Sequence, residues 1–132
     1  MGYLDGNFSP RDPLLLVGDF NVAHQDIDVY SPGELEDMIG TMPEEREAFA
    51  ALLDWGLVDA FRSLHPEKKQ YTWWDYIGGA IWKDKGMRID YALGTSPVLK
   101  KISDIEVDLW PRKRRKPTPS DHAPVVISLR ER

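Results

Sequence analysis

The sequence predicts a mixed α/β fold, because it combines one stretch of helical periodicity with several short stretches of strand periodicity. Phe49, Leu52 and Leu53 have the spacing of an apolar stripe on one helix face, and this stretch follows Pro43. Shorter apolar or alternating runs, bounded by Gly and Pro, lie before and after it. Because 132 residues suit one folding unit, we expect residues 1–132 to form a single domain.

The first predicted strand covers residues 14–17, an apolar run that follows Pro13 and ends at Gly18. Four apolar residues between turn-forming residues are typical of a buried strand. Its carboxyl end leads into a loop that carries Asp19 and Asn21. Ligands of α/β proteins commonly bind at this edge, so the two side chains are candidate site residues.

The predicted helix begins at Pro43, a residue favoured in the first helical turn. Glu44 and Glu45 follow and suit the positive end of the helix dipole. Gly56 marks the end of the helix. A second, shorter helix is predicted over residues 57–64.

The rest of the chain has strand character. Residues 71–76 and 87–93 are predicted to form an antiparallel pair, since a glycine-containing turn region separates them. Residues 102–109 alternate between apolar and polar side chains, and residues 123–129 form the last predicted strand.

Composition excludes several classes of protein. The chain has no cysteine, so neither a disulfide framework nor a thiolate zinc site can form. No apolar run approaches the roughly 20 residues that span a bilayer, and residues 1–13 lack the apolar segment of a signal peptide. We therefore expect a cytoplasmic protein with no membrane partner.

The formal net charge of −5 argues against binding a polyanion over the whole surface. A local basic patch remains compatible with nucleic acid. Five consecutive basic residues, equally compatible with a solvated loop, are Arg112, Lys113, Arg114, Arg115 and Lys116.

Three short motifs carry side chains suited to phosphate chemistry. In the first, Asp19 could take a proton from water and Asn21 could hold a phosphate oxygen, although the same motif is also a good turn. In the second, Arg88 and Asp90 would share one strand face if Ile89 faces the core. An exposed polar strand face is the simpler interpretation of that second motif.

The third motif, Ser120-Asp121-His122, precedes the last predicted strand. Its carboxylate could bind or orient a hydrated Mg²⁺ ion, and its imidazole could meet a phosphate. His24 and His65 lack such a context, and we expect them to be surface or turn residues.

Taken together, the strings GDFN, RID and SDH resemble the endonuclease–exonuclease–phosphatase superfamily. The strings VGDFNVAHQDIDVYSP, WGLVDAFR, YTWWDY, GMRIDY and PSDHAPVV narrow the resemblance to the exonuclease III type of abasic-site nuclease. The resemblance implies half of a four-layer α/β sandwich, the C-terminal half, with a mixed, largely antiparallel sheet and helices on one face.

The resemblance also implies a function. The chain would hydrolyse phosphodiesters of duplex DNA at abasic sites or 3′ ends during base excision repair, with Mg²⁺ or Mn²⁺. Asp19 would orient the attacking water, Asn21 would hold a phosphate oxygen and His122 would contact the scissile phosphate. Asp90 would support the imidazole. Asp121, together with Asp19, would lie at the metal.

Four further residues are assigned to DNA binding by the same resemblance. Trp73 matches an aromatic position beside the flipped-out abasic sugar, and Met87 and Ile89 fall where other apolar pocket residues lie. Arg88 stands between them and is placed in the same group. Ordinary strand packing is the alternative for Trp73 or its neighbour Trp74. Residues 33–40 are acidic where many relatives offer Asn and basic side chains to DNA, which weakens this inference.

In related proteins an N-terminal half precedes the GDFN strand and supplies an Asn, a metal-binding Glu and a Tyr. Only 17 residues precede Gly18 in this chain, so the resemblance implies an incomplete site. We expect the missing half or a second copy, as a homodimer, to cover the sheet. The alternatives are a non-catalytic fragment, a half-site that needs a partner chain, or a phosphoesterase with a non-DNA substrate.

Overall fold

The computed structural model describes residues 2–33, 40–114 and 117–130. The helices are α1 (Gly2–Asn7), α2 (Pro43–Trp55), α3 (Ala60–Leu64), α4 (Ser96–Leu99) and α5 (Trp110–Lys113). The strands are β1 (Leu15–Asp19), β2 (Val58–Asp59), β3 (Trp73–Trp74), β4 (Gly86–Met87), β5 (Asp90–Gly94), β6 (Ile102–Val107) and β7 (Val125–Leu129). Short 3₁₀ turns cover Asp26–Asp28 and Ile77–Gly79.

The named strands pair antiparallel throughout the described ranges. They form one three-stranded sheet, in the order β1-β5-β2, and two hairpin-like pairs, β3-β4 and β6-β7. The predicted mixed α/β class with largely antiparallel strands is confirmed. Within these ranges no helix has the length and apolar character needed to cross a membrane.

Helix α2 begins and ends as predicted. Pro43 is its first residue, and the Glu45 carboxylate accepts hydrogen bonds from the backbone N–H groups of Gly40 and Met42, at 2.8 and 3.1 Å. Gly56 ends the helix with φ at 128°, a conformation that favours glycine. A Cβ atom there would lie 2.7 Å from the side chain of Pro10, so the position also requires the close approach that only glycine allows.

One core lies between α2 and the three-stranded sheet. Phe49 packs against Tyr91 with ring centroids 4.6 Å apart, and Leu93 and Leu57 are buried beside them. Leu4 of α1 completes this cluster. Burying this apolar stripe is what fixes α2 on the sheet.

A second core lies on the opposite face of the sheet. Ala92 of β5 contacts Phe61 of α3 and the buried side chains Ile102 and Ile105 of β6, and α4 packs there through Leu99. Helices therefore flank both faces of the three-stranded sheet, whereas the sequence led us to expect them on one face.

The prediction of a fully buried first strand is wrong at the carboxyl end of β1. Val17 is 57% exposed, and Asp19 is exposed as well. These side chains border an open cleft between β1 and β7 that is also lined by Asp90, Pro124 and Ile127. The second core stops short of this end of the sheet, so nothing in the described ranges covers Val17.

The predicted strand over residues 87–93 is divided in the structure. Met87 pairs with Trp73 in one sheet, whereas Asp90 pairs with Asp19 in another. Between them, the N–H of Arg88 donates to the carbonyl of Asp28 at 2.8 Å instead of joining a ladder. The segment thus pairs first with β3 and then with β1. Only its first part, β4, keeps the predicted antiparallel pairing with residues 71–76.

The predicted helix over residues 57–64 is correct only from Ala60 onward. Val58 and Asp59 form β2 instead and pair with Gly94 and Leu93 of β5. The Asp59 carboxylate then caps α3 by accepting a hydrogen bond from the N–H of Arg62 at 3.2 Å. Helix periodicity cannot reveal this short strand, because two residues are fewer than one helical turn.

Arg88 is buried, at 2% exposure, between two carboxylates. Its Nε donates to Asp28 at 2.8 Å, and one terminal nitrogen donates to Asp59 at 3.0 Å. Arg62 also donates to Asp28, at 2.6 Å. Burial alone would lower the pKa of Arg88, but the Asp59 hydrogen bond and the charges of Asp59 and Asp28 raise it overall. The prediction that Arg88 binds DNA is therefore wrong, because its guanidinium is buried and bonded inside the protein.

We expect Arg88→Met to lower the free energy of unfolding by about 3–5 kcal/mol, since it leaves the buried Asp59 without a cation and Asp28 with Arg62 alone. Urea denaturation followed by circular dichroism measures this loss. The control is Asp26→Asn, which breaks the exposed pair with Arg46 and should cost no more than about 1 kcal/mol. Equal losses in the two variants would contradict a structural role for the buried network.

Candidate active site

Asp19, Asp90 and His122 meet where β1 ends and β5 begins. The register places Asp19 directly opposite Asp90. Nδ1 of His122 lies 2.8 Å from Oδ2 of Asp90, and its Nε2 lies 3.6 Å from Oδ2 of Asp19. The side chain of Asp90 is 18% exposed and that of His122 30% exposed. The predicted contact between Asp90 and His122 is therefore present without any substrate.

The backbone of residues 121–123 pairs with the edge of β3 and thereby places His122 beside Asp90. The residue forms an antiparallel bridge with Trp73. On either side of it, the N–H of Trp74 donates to the carbonyl of Asp121 at 3.1 Å, and the N–H of Ala123 donates to the carbonyl of Thr72 at 2.8 Å. The ring position is thus set by backbone pairing rather than by a free loop.

Thr72 fixes Asp90, the other member of the Asp90–His122 contact. Its hydroxyl oxygen accepts hydrogen bonds from the N–H groups of Ile89 and Asp90, at 3.1 and 3.2 Å. Thr72 is buried, at 1% exposure. Its neutral hydroxyl carried no chemical signal in the sequence, and only the tertiary contact reveals its positioning role.

Asn21 occupies the turn after β1. Its φ is 54°, a left-handed conformation that Asn adopts more readily than most residues. The N–H of Asn21 donates to the Asp19 carboxylate at 2.8 Å, and the Asn21 side chain is exposed. The GDFN motif is therefore the turn that its composition suggested. The same turn places the backbone N–H of Asn21 beside the Asp19 carboxylate.

Asp121 flanks the imidazole from the other side. One carboxylate oxygen accepts a hydrogen bond from the Trp73 indole at 3.0 Å, and the other lies 3.8 Å from Nε2 of His122. The outer ring nitrogen is thus bordered by Asp19 and Asp121, each with more than a third of its side chain exposed. This ring nitrogen and the two carboxylates form a polar face toward solvent.

The donor set suits a hard divalent cation. One ligand atom from each of Asp19, Asp90 and His122 lies within 4.8 Å of the others, and Asp121 is not part of this group. Nδ1 of His122 is occupied by its contact with Asp90, so the more exposed carboxylates are the better donors. Mg²⁺ commonly binds proteins through one or two carboxylates while keeping several waters, and exposed carboxylates offer this kind of ligand.

The aromatic and apolar residues predicted to form a DNA pocket divide into two groups. Trp73 and Met87 are half-buried and lie opposite each other across β3 and β4. Ile89 is 5% exposed and packs in a small core with Ala23 and Val29, beneath them. The prediction that Ile89 contacts DNA is wrong, because its side chain supports this surface from inside.

Trp74 is fully buried and its indole donates to Asp84 at 3.0 Å, so one of the two tryptophans is a packing residue, as expected. His65 pairs with Asp104 at 3.4 Å. His24 packs on Phe49 with ring centroids 4.9 Å apart, and burial lowers its pKa. Neither imidazole is part of the Asp19 cluster.

Two predicted features lie partly outside the described residues. Residues 34–39 of the acidic segment and the basic residues Arg115 and Lys116 belong to the parts of the chain for which no structure is described.

This geometry agrees with comparisons to known proteins. The sequence profile of the endonuclease/exonuclease/phosphatase family matches residues 3–122. The chain belongs to this family. Among its relatives, a DNA repair nuclease APEX1 from Danio rerio is 40% identical over 128 residues, which are 96% of this chain. An exodeoxyribonuclease from Bacillus subtilis is 37% identical over 122 residues, which are 90% of this chain.

Solved structures of the family superpose closely on this fold. An AP endonuclease from Archaeoglobus fulgidus gives a TM-score of 0.91 at 36% identity over 97% of the chain. A 3′ phosphatase from Neisseria, bound to a product DNA hairpin, gives 0.85 at 40% identity over 89% of the chain. The predicted resemblance to abasic-site and exonuclease III-type nucleases is confirmed. The chain spans only 39–49% of the length of these four relatives.

We expect His122 to be held with its hydrogen on Nδ1 when neutral, because Nδ1 faces the Asp90 carboxylate. Long-range ¹H–¹⁵N correlation spectra at a pH where the ring is neutral distinguish the two tautomers. The Asp90→Asn variant should change the tautomer ratio of His122, whereas the ring of His65 should not respond. An unchanged ratio for His122 would argue against the Asp90 contact in solution.

Proposed function

We propose that this chain supplies part of the active site of a metal-dependent DNA phosphodiesterase that acts at abasic sites or 3′ ends. The observation that carries the proposal is the meeting of Asp19, Asp90 and His122 at one sheet edge, beside Asn21. The printed names of the relatives support DNA as the substrate, since they include an AP endonuclease and a 3′ phosphatase bound to a DNA hairpin.

Each side chain has a distinct task in such hydrolysis. Asp90 holds the His122 ring by Nδ1 and supports its doubly protonated form, in which Nε2 donates a hydrogen bond to a phosphate oxygen as negative charge develops there. Asp19, on the far side of Nε2, orients the attacking water or accepts its proton. The Asn21 amide can hold a second phosphate oxygen without adding negative charge.

Asp19 and Asp121 are the residues that would hold the Mg²⁺ or Mn²⁺ ion of this reaction. When bound, the ion supplies neutralising charge at the phosphate. Trp73 contributes by bonding to one oxygen of Asp121, which directs the other oxygen toward the site. The Trp73–Met87 pair then offers an apolar wall next to the phosphate position, suited to a sugar that lacks its base.

The proposal also requires that another segment or chain covers the open cleft beside Val17. The cleft runs from Asp19 and Asp90 along β7, so whatever covers Val17 also borders the catalytic residues. The relatives are more than twice as long as this chain, and the remainder of their fold would cover it. A second copy of this chain, paired through the same cleft, would cover it with the same apolar residues.

We expect the isolated chain to self-associate at roughly tens of micromolar, a range typical of weak dimers. Sedimentation velocity measures this, and Val17→Lys should shift the population toward monomer because it charges the exposed apolar side chain. Tyr3→Lys, on the equally exposed surface of α1, is the matched control. A well-folded monomer for the unmodified chain would remove the argument for a homodimer.

Activity is tested in a chimera in which this chain replaces the matching segment of the Bacillus subtilis exodeoxyribonuclease. With Mg²⁺, we expect cleavage of a duplex that contains an abasic analogue, and digestion of a recessed 3′ end. His122→Asn should slow both by about 10²- to 10³-fold, since it removes a donor to the phosphate. His65→Asn, which removes the pair with Asp104 and a ring contact with Phe61 outside the site, should leave the rates unchanged.

A folded chimera that binds DNA but cleaves neither substrate would overturn the proposed function. The isolated chain is assayed in parallel. Measurable cleavage by it, lost in His122→Asn, would mean that the half-site is sufficient by itself.

A further inference from the structure

A second polar and aromatic surface lies beyond the catalytic cluster. It is formed by the loop after β3 and by helix α5, and we call it the tryptophan–cation surface. Its exposed aromatic side chains are Trp82, 60% exposed, Trp110, 70% exposed, and Tyr76, 54% exposed. Large aromatic side chains are seldom left this exposed without a binding role when they cluster.

Cationic side chains stand over each of these rings. Nζ of Lys113 lies 5.6 Å from the ring centroid of Trp82, and the guanidinium of Arg114 lies 5.8 Å from that of Trp110. A groove between the two elements is lined by Tyr76, Gly79, Ile81, Trp82, Arg112, Lys113, Arg114 and Pro119. Tyr76 and Trp82 therefore share this groove with positive charge, and Trp110 stands with Arg114 on the adjoining helix, although the whole chain has a net charge of −5.

The tryptophan–cation surface is fixed to the strands that build the catalytic cluster. Arg112, 5% exposed, donates to the backbone carbonyls of Trp74 and Asp75 at 3.0 and 3.3 Å. The Tyr76 hydroxyl donates to the carbonyl of Pro119 at 2.7 Å, and the following residues lead directly to His122. A strand bound on this surface can thus continue into the catalytic site.

The nearest carboxylates already have partners. Asp84 accepts the hydrogen bond of the Trp74 indole, and Asp75 accepts one from the N–H of Ile77 at 3.1 Å. Among the described residues, Lys113 and Arg114 form no ion pair with these carboxylates or with Asp108, which accepts a hydrogen bond from the N–H of Trp110 at 3.1 Å, so the two cations remain open to an external anion. Arg112 itself is not among these, because its guanidinium is bonded to backbone carbonyls.

We propose that the tryptophan–cation surface binds an unpaired segment of a nucleic-acid strand. Stacking on exposed tryptophans requires free base faces, which a duplex conceals, and the phosphates between stacked bases match the interleaved cations. The identification of nucleic acid rests on the proposed function, whereas the preference for a single strand rests on this surface alone. The surface extends the substrate contact beyond the scissile phosphate.

The test is binding of a fluorescein-labelled twelve-residue oligothymidylate to the full 132-residue chain, measured by anisotropy in EDTA so that no cleavage occurs. Trp82→Ala and Trp110→Ala should each weaken binding by roughly tenfold, as expected for loss of one stacked base. Trp82→Phe and Trp110→Phe should retain most of the affinity. Tyr3→Ala, another exposed aromatic change, should have no effect.

The charge contribution has its own test. Lys113→Ala and Arg114→Ala should each reduce the slope of log affinity against log salt by about 0.7, the value for one phosphate contact on a single strand. Lys100→Ala, an exposed lysine at the end of α4, should leave the slope unchanged. Thermal unfolding of each variant confirms that the fold is intact.

Equal affinity of the unmodified chain and both tryptophan→Ala variants would overturn the proposal. Equal binding of a blunt duplex, with equal loss in the variants, would overturn the preference for unpaired strands. Because these measurements need neither metal nor turnover, they succeed or fail independently of the chimera.

Discussion

The buried cation of Arg88 is the interaction on which the arrangement of this chain depends. Its guanidinium joins three separate parts of the sequence, namely the turn that contains Asp28, the short strand that contains Asp59 and its own segment between β4 and β5. The faces of Tyr91 and Phe61 lie 4.6 and 5.2 Å from it. Such a charge is tolerated in the interior only because carboxylates and aromatic rings surround it, so these segments must assemble together.

That constraint has a direct consequence for the candidate active site. Arg88 lies two residues before Asp90, between β4, which pairs with β3, and β5, which pairs with β1. Holding Arg88 inward turns Asp90 toward Asp19 and His122. Thr72 secures the same crossing from the other side by accepting two backbone hydrogen bonds. The Asp19, Asp90 and His122 cluster is therefore supported by groups that lie outside it.

The candidate site is open on one side. Asp19 and Asp121 face solvent, and Val17 beside them lacks a cover within the described ranges. The chain spans 39–49% of the length of the family members compared with it. The exposed tryptophans next to α5 lie on another part of the surface and are accompanied by cations, so the two exposed regions suit different partners.

The sequence by itself determined the class of fold, the limits of α2 and the identity of Asp19, Asn21, Asp90 and His122 as candidate site residues. The limits of α2 follow from local signals, since Pro43 and Gly56 bound a helix, whereas the site residues follow from the resemblance of the GDFN, RID and SDH strings to the family. Tertiary structure decided the roles of Arg88 and Ile89, which strand alternation could not resolve because the chain changes sheets between them and Asp90. It also decided that Thr72 positions the site and that Trp82 lies beside Lys113 of α5, because both depend on contacts between residues far apart in the chain.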